Sequence, residues 1–160
     1  MADFRLDWHR PLHLSPSPTV VYEVDLVERI PSGPGVYIFV RAFGSTRIPL
    51  YVGQAINLRR RIEGQLKTNV KLMMNIKNSP QGSRQSIFGV FRPKKRQQLA
   101  SSLDRIERAL IRHYIESGSE LFNTQGTSVP METLTSERPQ QLNKVIPKTL
   151  TFAKQKTPKS

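Results

Sequence analysis

An α+β fold is predicted by three features of the chain. Two β-prone segments, Gly35 to Arg41 and Ile48 to Val52, alternate in side-chain character on either side of a turn-prone stretch and are expected to pair as an antiparallel hairpin. A third apolar run, SIFGVF at 86–91, has the length and composition of another short strand. Helical periodicity surrounds them: Leu58, Ile62 and Leu66 recur at four-residue spacing, and Leu99, Leu103, Ile106, Leu110, Ile111 and Tyr114 form a longer apolar stripe.

Taken in order, residues 1–20 carry Pro11, Pro16 and Pro18 among serines and histidines and read as a flexible leader that Trp8 could pin to the body. Val20 to Asp25 is a brief strand or a lead-in to a helix, and IPSGPG at 30–35 is a turn cluster. In the first hairpin strand Val36, Ile38 and Val40 share one face, and Tyr37, Phe39 and Arg41 the other. On the return, Ile48, Leu50 and Val52 lie together and Pro49 and Tyr51 opposite, so a loop centred on Gly44 sets Tyr37 across from Tyr51. Pro49 suits an edge strand or a bulge. Asn57 can cap a helix through LRRRIEGQL, in which Gly64 is the weak point. Val70 to Ile76 predicts a short second helix, stopped by NSPQG, and Arg92 to Arg96, broken by Pro93, a solvated basic loop. The long helix is expected over Gln98 to Glu116, with Gly118 as its stop. The resulting division is a leader at 1–20, a folded domain at 21–125 and an extended basic tail at 126–160.

The chain of 160 residues fits one domain. Its formal charge of +13, from 25 basic and 12 acidic side chains, points to a polyanionic partner, with nucleic acid first and an anionic membrane surface second. No stretch approaches the about 18 apolar residues of a membrane span, and MADFRLDWHR lacks a signal-peptide core, so no membrane insertion and a cytoplasmic location are expected. The absence of cysteine removes disulfides, thiolate chemistry and cysteine-based zinc sites, while His9, His13 and His113 are too scattered for a histidine metal site.

Glu107 falls between Leu103 and Ile111 on the apolar arc of the long helix, where a carboxylate needs a cation or a metal beside it. It either pairs with an arginine such as Arg61 as a structural ion pair or belongs to a site. Asp104 lies at the arc's edge. Of the three consecutive arginines 59–61, Arg61 stands nearest the apolar side, and Arg59 and Arg60 read as solvated charges or nonspecific phosphate contacts.

Gly35-Val36-Tyr37, Tyr51-Val52-Gly53, Arg61, the helical Glu107 and LFN ending in Asn123 together resemble the GIY-YIG nuclease family, over about residues 33–125. The resemblance implies a three-stranded antiparallel sheet flanked by helices and hydrolysis of DNA phosphodiester bonds with Mg²⁺ or Mn²⁺. Carried over position by position, it makes Tyr37, Tyr51, Arg61, Glu107 and Asn123 the catalytic set, with Glu107 the metal ligand. Two departures stand out: the link between the tyrosines is longer than usual, and Gln65 occupies a place where many relatives carry histidine or tyrosine. Glutamine is no general base, and Lys67, Lys71 and His113 are weak substitutes.

The expected chemistry uses a single metal ion, since one carboxylate is in view. Arg61 would pair with the scissile phosphate, Tyr37 would orient and deprotonate the attacking water, Tyr51 would add a hydrogen bond, Asn123 would tie the helix end to the site, and Gly53 would let backbone approach the substrate. Arg59, Arg60, Lys67, Lys71, Arg84, Lys94, Lys95 and Arg96 are the expected DNA contacts. Single- and double-stranded DNA are both open as partners. The LMMNI stretch could contact a second copy in a homodimer, although such residues are more often core. The rival readings are a DNA-binding module without efficient turnover, motivated by Gln65, and a basic RNA-binding protein. The biological setting is open among repair, restriction, mobile-element mobility and delivery as a secreted nuclease toxin.

Overall fold

The computed structural model describes residues 3–123 and 130–154. Strands β1 (Asp3–Trp8), β2 (Leu12–His13), β3 (Ser15–Pro16) and β4 (Tyr22–Glu23) precede a hairpin of β5 (Gly35–Phe43) and β6 (Thr46–Ala55). Helices α1 (Leu58–Thr68) and α2 (Val70–Lys77) follow, then β7 (Ser83–Arg92), α3 (Leu99–Glu116), β8 (Pro130–Glu137) and β9 (Thr149–Lys154).

The architecture is α+β, but the sheet is larger than the expected three strands. Seven strands join in the order β6-β5-β7-β1-β8-β9, with β2 also on β7. The predicted hairpin and third strand form three neighbouring strands at one side of it, all antiparallel. The extension comes from the two chain ends. β1 pairs antiparallel with β7 and parallel with β8, so a segment read as a leader is an interior strand. Its cause is local after all: Phe4, Leu6 and Trp8 alternate with Arg5 and Asp7, and all three apolar side chains are buried. The prolines that suggested a leader begin only after β1. Leu6→Ala is therefore expected to cost about 2–5 kcal/mol, read as a lowered denaturant midpoint; an unchanged midpoint would return β1 to the status of a loose arm.

The expected tail also contributes structure. β8 and β9 pair antiparallel, and between them Leu142, Val145 and Ile146 are buried against α3, where the Tyr114 hydroxyl donates to the Val145 carbonyl at 2.7 Å. Residues 126–129 and 155–160 of that tail lie outside the described residues.

The sheet is covered on both faces. Val36, Ile38, Val40 and Val52 pack with Leu103, Ile106 and Leu110 of α3. Tyr37, Phe39 and Leu50 pack on the other side with Leu58 and Ile62 of α1 and Leu72, Met73 and Ile76 of α2. Leu72, Met73 and Ile76 of the LMMNI stretch thus serve the core, as such residues usually do, while Met74 is exposed. Asn57 caps α1 by accepting from the Arg60 N–H at 3.1 Å, and Gly64 leaves α1 continuous.

The hairpin register differs from the expected one. Its turn is only Gly44 and Ser45, with Gly44 at φ +59, and Tyr37 pairs with Gly53 while Phe39 pairs with Tyr51. A bulge between Phe39 and Val40, beside Pro49, absorbs one residue and turns Leu50 onto the same side as Tyr51. β6 is an edge strand of the sheet, which is where a proline is tolerated.

Candidate functional site

An open cleft of about 1050 Å³ runs along β6, lined by Tyr37, Tyr51, Gly53 and Gln54 of the hairpin, Asn57, Arg60, Arg61 and Gln65 around α1, and Glu107 of α3. The edge position of β6 explains the meeting: α1 covers one face of the sheet and α3 the other, and only at an edge can side chains from both faces share one space. Four of the five residues expected to act together thus line one cleft. The fifth, Asn123, holds its wall. Its side chain accepts from the Val52 N–H at 2.9 Å and donates to the Val52 carbonyl at 2.7 Å, pairing with the free edge as a strand would. With the Phe122 N–H bonded to the Leu50 carbonyl at 2.7 Å, the chain after α3 grips β6 on either side of Tyr51. Asn123→Ala should lose about 1–3 kcal/mol and loosen Tyr51; thermal melting and the exchange rate of the Val52 amide proton would show both.

The two tyrosines lie diagonally across the ladder, with ring centroids 6.2 Å apart. Tyr37 fits because its direct partner has no side chain: a Cβ on Gly53 would lie 2.2 Å from Tyr37 Cζ and 2.3 Å from its hydroxyl oxygen. Gly53 therefore makes room for Tyr37, a role beside the expected one of letting backbone approach the substrate. Gly35 is needed for a similar reason, since a Cβ there would meet the Gly89 carbonyl oxygen at 2.0 Å.

Burial pushes the Tyr37 phenol up to about 12, with Tyr51 adding to the rise and Gln65 and Arg61 opposing it. Burial also raises Tyr51, and the Glu107 charge adds to that. Glu107 itself is pushed up to about 7, first by burial and then by Asp104, against the pull of Arg108 and Arg61. Among the described residues no ion pair closes on Glu107, so the bland pairing with Arg61 is not made; Asp104 is the carboxylate that pairs with Arg108, at 3.3 Å. Arg61 is exposed at the mouth, and its guanidinium lies against the Tyr37 hydroxyl.

These donors suit one kind of cation. Among the described residues no three histidine, cysteine or acidic side chains gather as a cage. A half-buried carboxylate that closes no ion pair among the described residues fits a hard ion that keeps its waters and shares phosphate oxygens, as Mg²⁺ does. Asn57, Arg60 and Arg61 bring the positive end of α1 to the same space, which favours an anion.

The basic side chains divide. Arg60, Lys67, Lys71, Lys95 and Arg96 are exposed. Arg84, expected to contact DNA, is buried and donates to the carbonyls of Ile76, Ser79, Pro80 and Gly82, closing the turn after α2. Arg59 is likewise committed to the carbonyls of Ile30 and Glu28, at 2.9 Å each. Lys94 is exposed but paired with Asp3 at 3.1 Å. Sequence reasoning passed over Asn69, which lines the cleft; its signal was its place between two helical patterns, where asparagine commonly caps. No family model, curated protein or solved structure matches this chain. Among the described residues no helix is long and apolar enough to cross a membrane.

Proposed function

We propose that the chain is a metal-dependent DNA endonuclease of the GIY-YIG kind, hydrolysing phosphodiester bonds in the cleft along β6. The observation that supports this reading is the convergence there of two tyrosines, an exposed arginine and a half-buried carboxylate with no ion pair among the described residues, contributed by four different elements. A formal charge of +13 supplies attraction for a polyanion.

In this reading Arg61 pairs with the scissile phosphate and stabilises the charge that grows on its oxygens. Glu107 would hold Mg²⁺ or Mn²⁺, which when bound supplies further positive charge at the phosphate. Tyr37, pushed up to about 12, is a phenol at neutral pH and orients the attacking water by hydrogen bonding. Tyr51 faces the same space from the neighbouring strand and gives a second hydrogen bond. Asn123 acts through β6 as a positioning residue. Arg60, Lys67 and Lys71 along α1 and α2 form the nearest track for the DNA backbone, with Lys95 and Arg96 beyond the end of β7.

The test is incubation of purified protein with supercoiled plasmid and with circular single-stranded DNA, in Mg²⁺ or Mn²⁺ and in EDTA. Cutting that EDTA abolishes is expected, and the faster substrate defines strand preference. The high Tyr37 value and the amide at Gln65 favour a second reading, a DNA-binding module with little turnover. Salt-sensitive binding without cutting of either substrate would select it.

A further inference from the structure

The junction between α1 and α2 fixes the direction of a hydrogen-bond chain that ends on Tyr37. Asn69 closes α1, its own N–H donating to the Gln65 carbonyl at 3.1 Å, and it begins α2. As the cap of α2 its side-chain oxygen accepts from the Leu72 N–H at 3.2 Å. A backbone N–H can only donate, so this bond commits the oxygen and leaves the Asn69 amide nitrogen facing Gln65. That nitrogen donates to the Gln65 side-chain oxygen at 2.7 Å. The Gln65 nitrogen in turn donates to the Tyr37 hydroxyl oxygen at 3.0 Å.

We propose that Asn69 and Gln65 form a one-way donor relay, positioning residues that hold the Tyr37 oxygen as a hydrogen-bond acceptor and turn its own O–H away from α1, toward Tyr51 at the cleft. The proposal deepens the nuclease reading and rests on it for its catalytic consequence. A neutral amide neither takes up nor passes on a proton at ordinary pH, so the relay cannot stand in for a base. It sets polarity instead: an N–H aimed at the phenol oxygen stabilises the phenolate more than the phenol. The other groups facing Tyr37 are Tyr51 from β6 and Arg61 from α1, with Glu107 of α3 acting on Tyr51. None of these comes from the α1–α2 junction, so variants at Asn69 and Gln65 isolate the relay.

Tyr37 is followed directly by NMR titration of protein carrying tyrosine labelled with carbon-13 at Cζ, its signal assigned with Tyr37→Phe. Gln65→Leu removes the donor, and Gln65→Glu replaces it with an acceptor. Asn69→Ser keeps a capping oxygen for α2, adds no charge and is too short to anchor Gln65. Tyr37 should titrate about one pH unit higher in Gln65→Leu, higher again in Gln65→Glu, and in the same direction in Asn69→Ser, with thermal stability of the last close to wild type. Unchanged Tyr37 titration in both Gln65→Leu and Asn69→Ser overturns the relay. Because the titration needs no turnover, a shifted Tyr37 in a protein that cuts no DNA retains the relay and discards the nuclease reading.

Discussion

Glu107→Gln should make the protein more stable above about pH 7 and leave stability nearly unchanged below about pH 4, while removing any stabilisation by Mg²⁺. The sign follows from the carboxyl group being pushed from 4.5 up to about 7 by burial and by Asp104. Between these values the unfolded chain gives up its proton while the folded chain retains it, so the native state binds more protons and stability falls as pH rises. Above about pH 7 the folded protein carries the charge in a half-buried place where no ion pair among the described residues offsets it. Glutamine has the same shape without that cost. Melting temperatures of both proteins across pH, with and without Mg²⁺, read the two effects together. Cutting should fall by about a hundredfold or more if the carboxylate holds the ion. A variant no more stable than wild type in alkaline solution would contradict the half-buried charge, only partly offset by Arg108 and Arg61, on which the site rests.

Gly53→Ala is expected to damage fold and site in one step. The new Cβ would lie 2.2 Å from a Tyr37 ring that is 1% exposed and packed edge-on against Phe39 at 5.4 Å, so the ring has little room to yield. The overpacking should cost about 1–3 kcal/mol, and pushing the ring aside breaks the bond from Gln65. Gly64→Ala is the matched comparison. Nothing lies within 4 Å of a Cβ there, and the position is inside α1, so alanine should add about 0.5–1 kcal/mol. Denaturant melts of the two variants should move in opposite directions. Equal tolerance at both positions would mean that Tyr37 is not held against Gly53.

What was legible in the sequence was what neighbours in the chain decide. The alternation in β5, the cap at Asn57 and the apolar stripe of α3 with Glu107 set into it were all readable, and the structure carries them to one cleft. The register was only half readable: Pro49 marked a break, and the one-residue bulge together with the two-residue turn at Gly44 and Ser45 moved the pairing by two, so that Gly53, not Tyr51, faces Tyr37. The tyrosines still meet because a shift of two residues preserves the face. Strand β1 carried a readable two-residue period, but its place depends on β7 and β8, one of them more than 120 residues away in the chain. Charge was the least legible feature. Arg59 and Arg84 resemble DNA contacts as letters, yet each is committed to backbone carbonyls that only the folded chain gathers. Gln65 stood out as a missing base, and its direction of donation is set by Asn69 capping α2, a consequence of the fold.

The most direct measurement of the central claim compares wild type with Glu107→Ala and Arg61→Ala for cutting and for binding of the same DNA in Mg²⁺. The account predicts metal-dependent cutting by wild type and loss of cutting in both variants, with Glu107→Ala retaining near-normal affinity and Arg61→Ala losing part of it. Cutting that survives both substitutions would place the chemistry outside this cleft and contradict the account.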